Sequence, residues 1–317
     1  MRVDENRAAE LLKANDNILI LTHMSPDGDT LGCGSALCRA LLSIGKKAAV
    51  VNSDTIPEKY DYLLKGLPKV DFEPEFIVAV DIATTALLGK KLSVYSENID
   101  LCIDHHPSNS DYAKEVCVAP NDGAACLTLY RILKIMGIKI TEDIASALYT
   151  GISTDTGCFR YSNAGAECYT AAAELIEAGA DNAWINTRMF ETKTIAYYRL
   201  MPEIFSGLRL YANGKIAVLK ITREMLEKTG AEDDVCDPIA AMARQIEGVL
   251  LGITMKQKAD GSYKFSFRTH APLDASAIAK TLGGGGHARA AGCAVEGNEE
   301  EALEKVIKLA EKQLNDK

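Results

Sequence analysis

Four short apolar runs, at residues 18–21, 48–51, 76–81 and 99–104, alternate with polar or helix-periodic stretches, and this alternation narrows the fold more than any other feature. Runs this short and this apolar read as strands buried on both faces. Strands separated by helices build a mostly parallel sheet with helices on both sides. Helical spacing of small and apolar residues predicts the covering helices over 6–15, 30–44, 123–136, 142–153 and 165–179. The N-terminal part is therefore expected to be α/β.

From 181 to 206 the pattern is helical without strands, with Pro202 inside it, as in a connection between domains. Beyond it Asn213-Gly214 and Asp260-Gly261 lie between strand-like runs, which is the signature of hairpin turns. A helix near 275–282, four consecutive glycines and a terminal helix from about 299 complete a smaller α+β domain. A length of 317 residues suits two compact domains with separate cores. The expected boundaries are 1–188, a helical linker at 189–206, and 207–317.

Metal-ligand residue types gather where the apolar runs end. His23, Asp27 and Asp29 fall within seven residues after the first run, and Gly28 between the aspartates permits a tight turn. Asp81 closes FIVAVD, Asp104-His105-His106 closes IDLCID, and Asp155 lies in YTGISTDTGCFRYSN. In an open α/β sheet, ligands collect in the crevice beyond the carboxyl ends of the strands. Bunched carboxylates repel one another unless cations or raised pKa values relieve them. Oxygen and imidazole donors without a thiolate suit Mn²⁺ better than Mg²⁺ and leave iron, cobalt and zinc open. Any one of these residues could be a cap or turn residue. Three of only five histidines in two acidic strand-end loops are not explained that way.

The net charge of −9 sits entirely in residues 1–190, with 17 Lys+Arg against 26 Asp+Glu, while residues 191–317 carry 18 of each. Binding along extended DNA requires many phosphates to be neutralised at once, so the balance favours a small substrate over long DNA. No apolar run approaches a membrane span, the start MRVDENRAAELL lacks a signal peptide's layout, and the nine cysteines form no C-x-x-C pair. Reduced thiols in a cytoplasmic protein, with no membrane contact, are the expectation. The residues leave the assembly state open, a homodimer among the options.

THMSPDGD, VAVD, IDHHPSN and GISTDTGCFRYSN resemble, in order, the four motifs of the DHH phosphoesterases. GGGGHARAAG, at 283–292, resembles the signature of the DHH-associated C-terminal domain, so the likeness runs from about 15 to 295. Within that superfamily the chain is most similar to nano-RNases and pAp phosphatases, which degrade very short oligoribonucleotides and remove the 3′-phosphate of adenosine 3′,5′-bisphosphate. The resemblance implies two divalent metal ions. His23, Asp27 and Asp81 would bind one; Asp29, Asp81, His105 and Asp155 would bind the other, with Asp81 shared. Asp104 would orient a neighbour, and His106 would face the scissile phosphate.

Two metals clamping the attacking and leaving oxygens predict direct hydrolysis without a covalent enzyme intermediate. No G-x-S-x-G elbow offers a serine nucleophile. In the C-terminal domain, Gly284, Gly285, Gly286, His287 and Arg289 read either as a flexible turn or as backbone and side-chain donors close to a phosphate. Residues 256–289 hold six Lys+Arg against two Asp+Glu, which favours the second reading. Arg268 matches a substrate-binding position of the family; Arg160 fits either the active-site cleft between the domains or an ion pair. A cut at the metals with the far phosphate or base held across the cleft would select molecules of two to a few nucleotides. Cyclic or linear dinucleotides such as c-di-AMP and pApA stay open as alternative substrates. A pyrophosphatase or polyphosphatase and a non-catalytic nucleotide-binding regulator are weaker readings.

Overall fold

Ile18–Leu21, four aliphatic residues in a row, forms β1 and is buried along its whole length in a computed structural model that describes residues 1–232, 239–286 and 288–315. β1 lies between β2 (Ala48–Val51) and β3 (Phe76–Val80), followed outward by β4 (Leu101–Asp104) and β5 (Glu115–Val118), and every pairing is parallel. Because strand side chains alternate, Ile18 and Ile20 enter one core with Leu37, Leu133 and Leu148, while Leu19 and Leu21 enter another with Ile77 and Cys102. Each such aliphatic burial contributes about 1.5–3 kcal/mol, which explains why the runs carry no polar break. β5 was not expected. Its sequence, EVCV, opens on a charged residue and occupies a sheet edge, so no long apolar run announces it.

Helices cover the sheet: α1 (Glu5–Ala14), α2 (Gly28–Ser43), the short α3 (Asp61–Leu64) and α4 (Gly89–Leu92), then α5 (Ala125–Met136), α6 (Glu142–Asp155), α7 (Ala166–Glu177) and α8 (Asn182–Asn186). The chain runs from β1 outward to β2 and then crosses to β3 on the other side of β1. The carboxyl ends of β1 and β3 therefore flank the point where the winding reverses, the usual ligand crevice of such sheets.

The chain divides into two units, Met1–Thr192 and Lys193–Lys317. In the second, α9 (Ile195–Ser206) contains Pro202 and packs Leu200 and Ile204 against Leu219 and Ile221. A six-stranded mixed sheet follows in the order β10-β11-β9-β8-β7-β6. Both expected hairpins form, one between β6 (Arg209–Tyr211) and β7 (Ile216–Ile221), the other between β8 (Leu251–Gln257) and β9 (Tyr263–Thr269). β7 and β8 pair in parallel, joined through α10 (Arg223–Thr229) and α11 (Ile239–Met242). After α12 (Ala275–Thr281), the glycines Gly285–Gly286 form β10 against β11 (Ala290–Val295), and α13 (Glu299–Asn315) ends the fold. Among the described residues, no helix is long and apolar enough to cross a membrane.

Candidate metal centre

Thr30, buried in the first turn of α2, donates its hydroxyl to the Val80 carbonyl at 3.0 Å and accepts from the His23 N–H at 3.3 Å. It thereby stitches the end of β1 to the end of β3. Asp27 caps α2, its Oδ1 accepting from the N–H groups of Asp29 at 3.0 Å and Thr30 at 3.2 Å. Asp29, only 1% exposed, receives the N–H groups of Ala125 at 2.6 Å and Cys126 at 2.9 Å from the start of α5. Asp81 leaves β3 in the left-handed region, φ 58°, with its N–H bonded to the Ile103 carbonyl at 2.9 Å. For a residue with a Cβ that conformation costs about 1–3 kcal/mol and persists only where the surroundings impose it.

Two imidazoles face these carboxylates in the same manner. His23 is held through Nδ1 by the Met24 carbonyl at 2.8 Å, and its Nε2 lies 3.6 Å from both Asp27 Oδ1 and Asp81 Oδ2. His105 is held through Nδ1 by the Asp122 carbonyl at 3.1 Å; its Nε2 lies 3.4 Å from Asp155, 3.7 Å from Asp81 and 3.9 Å from Asp29. A ring fixed through one nitrogen, with the other turned to carboxylates, is how proteins present imidazole to a metal. His106 is turned the other way. Its Nδ1 lies 2.8 Å from Asp104 Oδ1 and 3.4 Å from Asp81 Oδ1. Asp104, fully buried, also accepts the N–H groups of His105 and His106 and the Asn109 amide.

Burial, followed by the charge of Asp81, pushes the Asp29 carboxyl up to about 7. Burial likewise raises Asp81, and burial together with Asp29 raises Asp155. For His105 burial works against the charge, but Asp29, Asp81 and Asp155 prevail and lift it to about 9. Asp81 Oδ1 is buried and takes part in no hydrogen bond. Its nearest donors are His106 Nδ1 at 3.4 Å and His105 Nε2 at 3.7 Å, and a buried carboxylate oxygen without a hydrogen bond is costly unless positive charge answers it. The donors form the sets His23–Asp27–Asp81, Asp29–His105–Asp155 and Asp81–His105–His106, each with its ligand atoms within 4.8 Å of one another. These residues fit divalent cations, and oxygen with imidazole suits Mn²⁺. A further set, Asp29–Cys33–Cys126, lies deeper; burial pushes the Cys33 thiol up to about 12, which disfavours a thiolate.

Two expectations need correction. Asp155 does not lie beyond a strand-forming apolar run like the other candidates; the helix expected over 142–153 extends to include it as the last residue of α6, so a helix end joins the strand ends at the site. Gly28 does not form a tight turn between the two aspartates. It opens α2, and a Cβ there would stand 2.4 Å from Thr154 Oγ1, so glycine allows α2 to approach α6.

Arg160 donates Nε to the Gly157 carbonyl at 2.7 Å and lies 6.0 Å from the Phe190 ring. In the second unit, Arg268 alternates with the buried Phe267 and Thr269 on β9 and pairs in register with Ala290. Arg289 donates to the Leu273 carbonyl. A Cβ on Gly284 would meet the Gly292 carbonyl at 2.1 Å, so this glycine is required by close packing against β11. His287 lies outside the described residues.

Sequence reasoning missed the residues that aim the ligands: Thr30, Asn109, Asp122 and Asn163. Asn109 and Asn163 stand within the quoted motifs and Thr30 directly follows one, but their amides and hydroxyl carry no signal of what they hold. Asp122 acts on His105 through its backbone carbonyl, which no side-chain pattern encodes.

Residues 17–152 match the DHH family, N-terminal domain, and residues 213–316 match the DHHA1 domain. The chain belongs to the DHH family. A DHH relative, the bifunctional oligoribonuclease and PAP phosphatase NrnA of Thermus thermophilus, is 32% identical over 320 residues, covering 96% of this chain and 93% of the relative. Among solved structures, an exopolyphosphatase-related protein from Bacteroides fragilis superposes with a TM-score of 0.88 at 24% identity, covering 97% of this chain and 95% of the other. RecJ of Thermus thermophilus, solved in complex with Mn²⁺, superposes at 0.57 with 15% identity, covering 98% of this chain and 55% of RecJ. These two structures share the DHH fold with the chain, and their identities support no closer statement.

Proposed function

We propose that this DHH protein is a metal-dependent phosphoesterase that hydrolyses short oligoribonucleotides to mononucleotides and removes the 3′-phosphate of adenosine 3′,5′-bisphosphate. The position of Asp81 carries this reading. Its Oδ2 lies 3.6 Å from His23 and its Oδ1 3.7 Å from His105, so one carboxylate serves two donor sets. The substrate class is taken from the NrnA relative, matched over nearly its full length.

In this reading His23, Asp27 and Asp81 hold one cation, and Asp29, Asp81, His105 and Asp155 hold the other. Divalent cations held there, Mn²⁺ by the nature of the donors, would supply positive charge against the substrate phosphate and would lower the pKa of a bound water. Asp104 keeps His106 oriented, and His106 faces the substrate to polarise the scissile phosphate or assist the leaving oxygen. Within the second unit, Arg268, Arg289 and the backbone of Gly285 and Gly286 take a phosphate or a base, whereas the Gly284 N–H is already bonded to the Ala279 carbonyl at 2.9 Å; in the first unit Arg160 is a candidate contact. All eight described cysteines are free thiols, which supports a reducing cytoplasmic setting.

Purified protein incubated with Mn²⁺ should release phosphate from adenosine 3′,5′-bisphosphate and mononucleotides from a ribotrimer. Tight nucleotide binding without products, or turnover of pyrophosphate alone, would refute the proposal.

A further inference from the structure

Three of the donors around the second cation position are tied to one short stretch of backbone. The Asp122 carbonyl holds His105 Nδ1 at 3.1 Å. Three and four residues further on, the N–H groups of Ala125 and Cys126 hold both oxygens of Asp29. Between them the Gly123 carbonyl accepts from Asn163 Nδ2 at 3.0 Å, and the same amide nitrogen donates to the Asp155 carbonyl at 3.2 Å. Both neighbours of that nitrogen are carbonyl oxygens, so the amide can satisfy them only with its NH₂ turned inward. Asn163 thus fastens the end of α6, where Asp155 stands, to the segment that orients His105 and Asp29.

The stretch is itself anchored. The Asp122 carboxylate accepts from the Thr128 hydroxyl at 2.6 Å and from the Arg131 guanidinium. A Cβ on Gly123 would stand 2.7 Å from the Asn163 carbonyl, so the two segments touch closely. His23 and Asp27 depend on none of this: the Met24 carbonyl holds the one, and the other caps α2.

Resting on the two-cation reading above, we propose that residues 122–126, clasped by Asn163, form a positioning device for the Asp29–His105–Asp155 cation position alone, so that the two positions can be tuned apart. Asn163 is a positioning residue in this scheme. It acts through the backbone of Asp155 and Gly123.

The test is Mn²⁺ titration of the full chain, with free ion followed by electron paramagnetic resonance. Wild type should bind two ions. Asn163→Ala and Asn163→Asp should weaken one binding phase by about 10–100-fold and leave the other within about twofold, the range typical of lost outer-shell partners. Thr128→Val, which loosens the Asp122 anchor, should shift the same phase in the same direction by less, and it keeps the test alive if the Asn163 variants fold poorly. Tyr169→Phe removes a 2.8 Å bond to the Phe159 carbonyl near the same segment and serves as the control for general loosening. It should leave both phases unchanged. Equal weakening of both phases, or wild-type binding in the Asn163 and Thr128 variants, overturns the proposal. Wild-type protein that binds fewer than two ions overturns the two-cation reading itself, and the proposal with it.

Discussion

His106 turns its Nδ1 toward the fully buried carboxylate of Asp104 at 2.8 Å, whereas its neighbour His105 turns its Nε2 toward three other aspartates. Adjacent imidazoles are thus divided between two tasks by what lies behind each ring. Asp104→Asn keeps the size of the side chain but weakens the anchor of His106. We expect kcat to fall about 10–100-fold with KM and Mn²⁺ stoichiometry preserved. Steady-state kinetics with a parallel Mn²⁺ titration check this; a rise in KM alone would contradict the assignment.

Asp81 stands in both donor sets, so Asp81→Ala should abolish turnover and reduce Mn²⁺ binding below two ions without unfolding the chain. Circular dichroism, metal titration and the phosphate-release assay together decide the matter. In the wild type, chelation should lower the melting temperature. Restored Mn²⁺ at about 100 times its Kd should add about 2.7 kcal/mol for one site. A melting temperature indifferent to chelator would mean that no ion relieves the crowded acids.

Asp274 offers a pH prediction away from the metal centre. It caps α12 by accepting from the Ser276 and Ala277 N–H groups, and the Ser276 hydroxyl bond foremost holds its carboxyl below the usual range. A carboxyl lowered in the folded state stabilises fully above its unfolded value of about 3.9, and the contribution is lost as pH falls through the folded value. Asp274→Ala should therefore cost about 1 kcal/mol near neutral pH. The difference should shrink as melts are carried down through about pH 4 and below. A penalty constant across that window would show that the charge plays no part.

Gly28→Ala would bring a methyl group to 2.4 Å from Thr154 Oγ1, and that hydroxyl is itself bonded to the Thr150 carbonyl at 2.8 Å. The overpacking should destabilise the chain by about 1–3 kcal/mol. Thr154→Ala in the same chain should recover part of the loss, as read from paired urea melts. An additive double variant would deny that α2 and α6 meet at this point.

Four of the five strands of the parallel sheet were legible because they are apolar runs with ligand residues at or near their ends, as with Leu21 before His23 and Val80 before Asp81; β5, opening on Glu115, was not. The two hairpins were legible from their turn dipeptides. What the residues could not disclose is carried by the main chain: the Asp122 carbonyl behind His105, the α5 N–H groups on Asp29, the left-handed φ of Asp81. Gly28 misled for a related reason. A glycine signals that a Cβ is unwelcome, but whether through dihedral angle or a neighbouring helix depends on contacts distant in sequence. The edge strand of Gly285–Gly286 was hidden likewise, since two glycines have no side chains to alternate.

Asp27 keeps α2 started with the same oxygen that lies opposite His23. Stripping the ions would leave that carboxylate still occupied by two backbone amides, so the helix has no cause to unwind. Reloading then needs diffusion and dehydration of the cation but little rebuilding of the protein, and exchange of one metal for another should be quick and fully reversible.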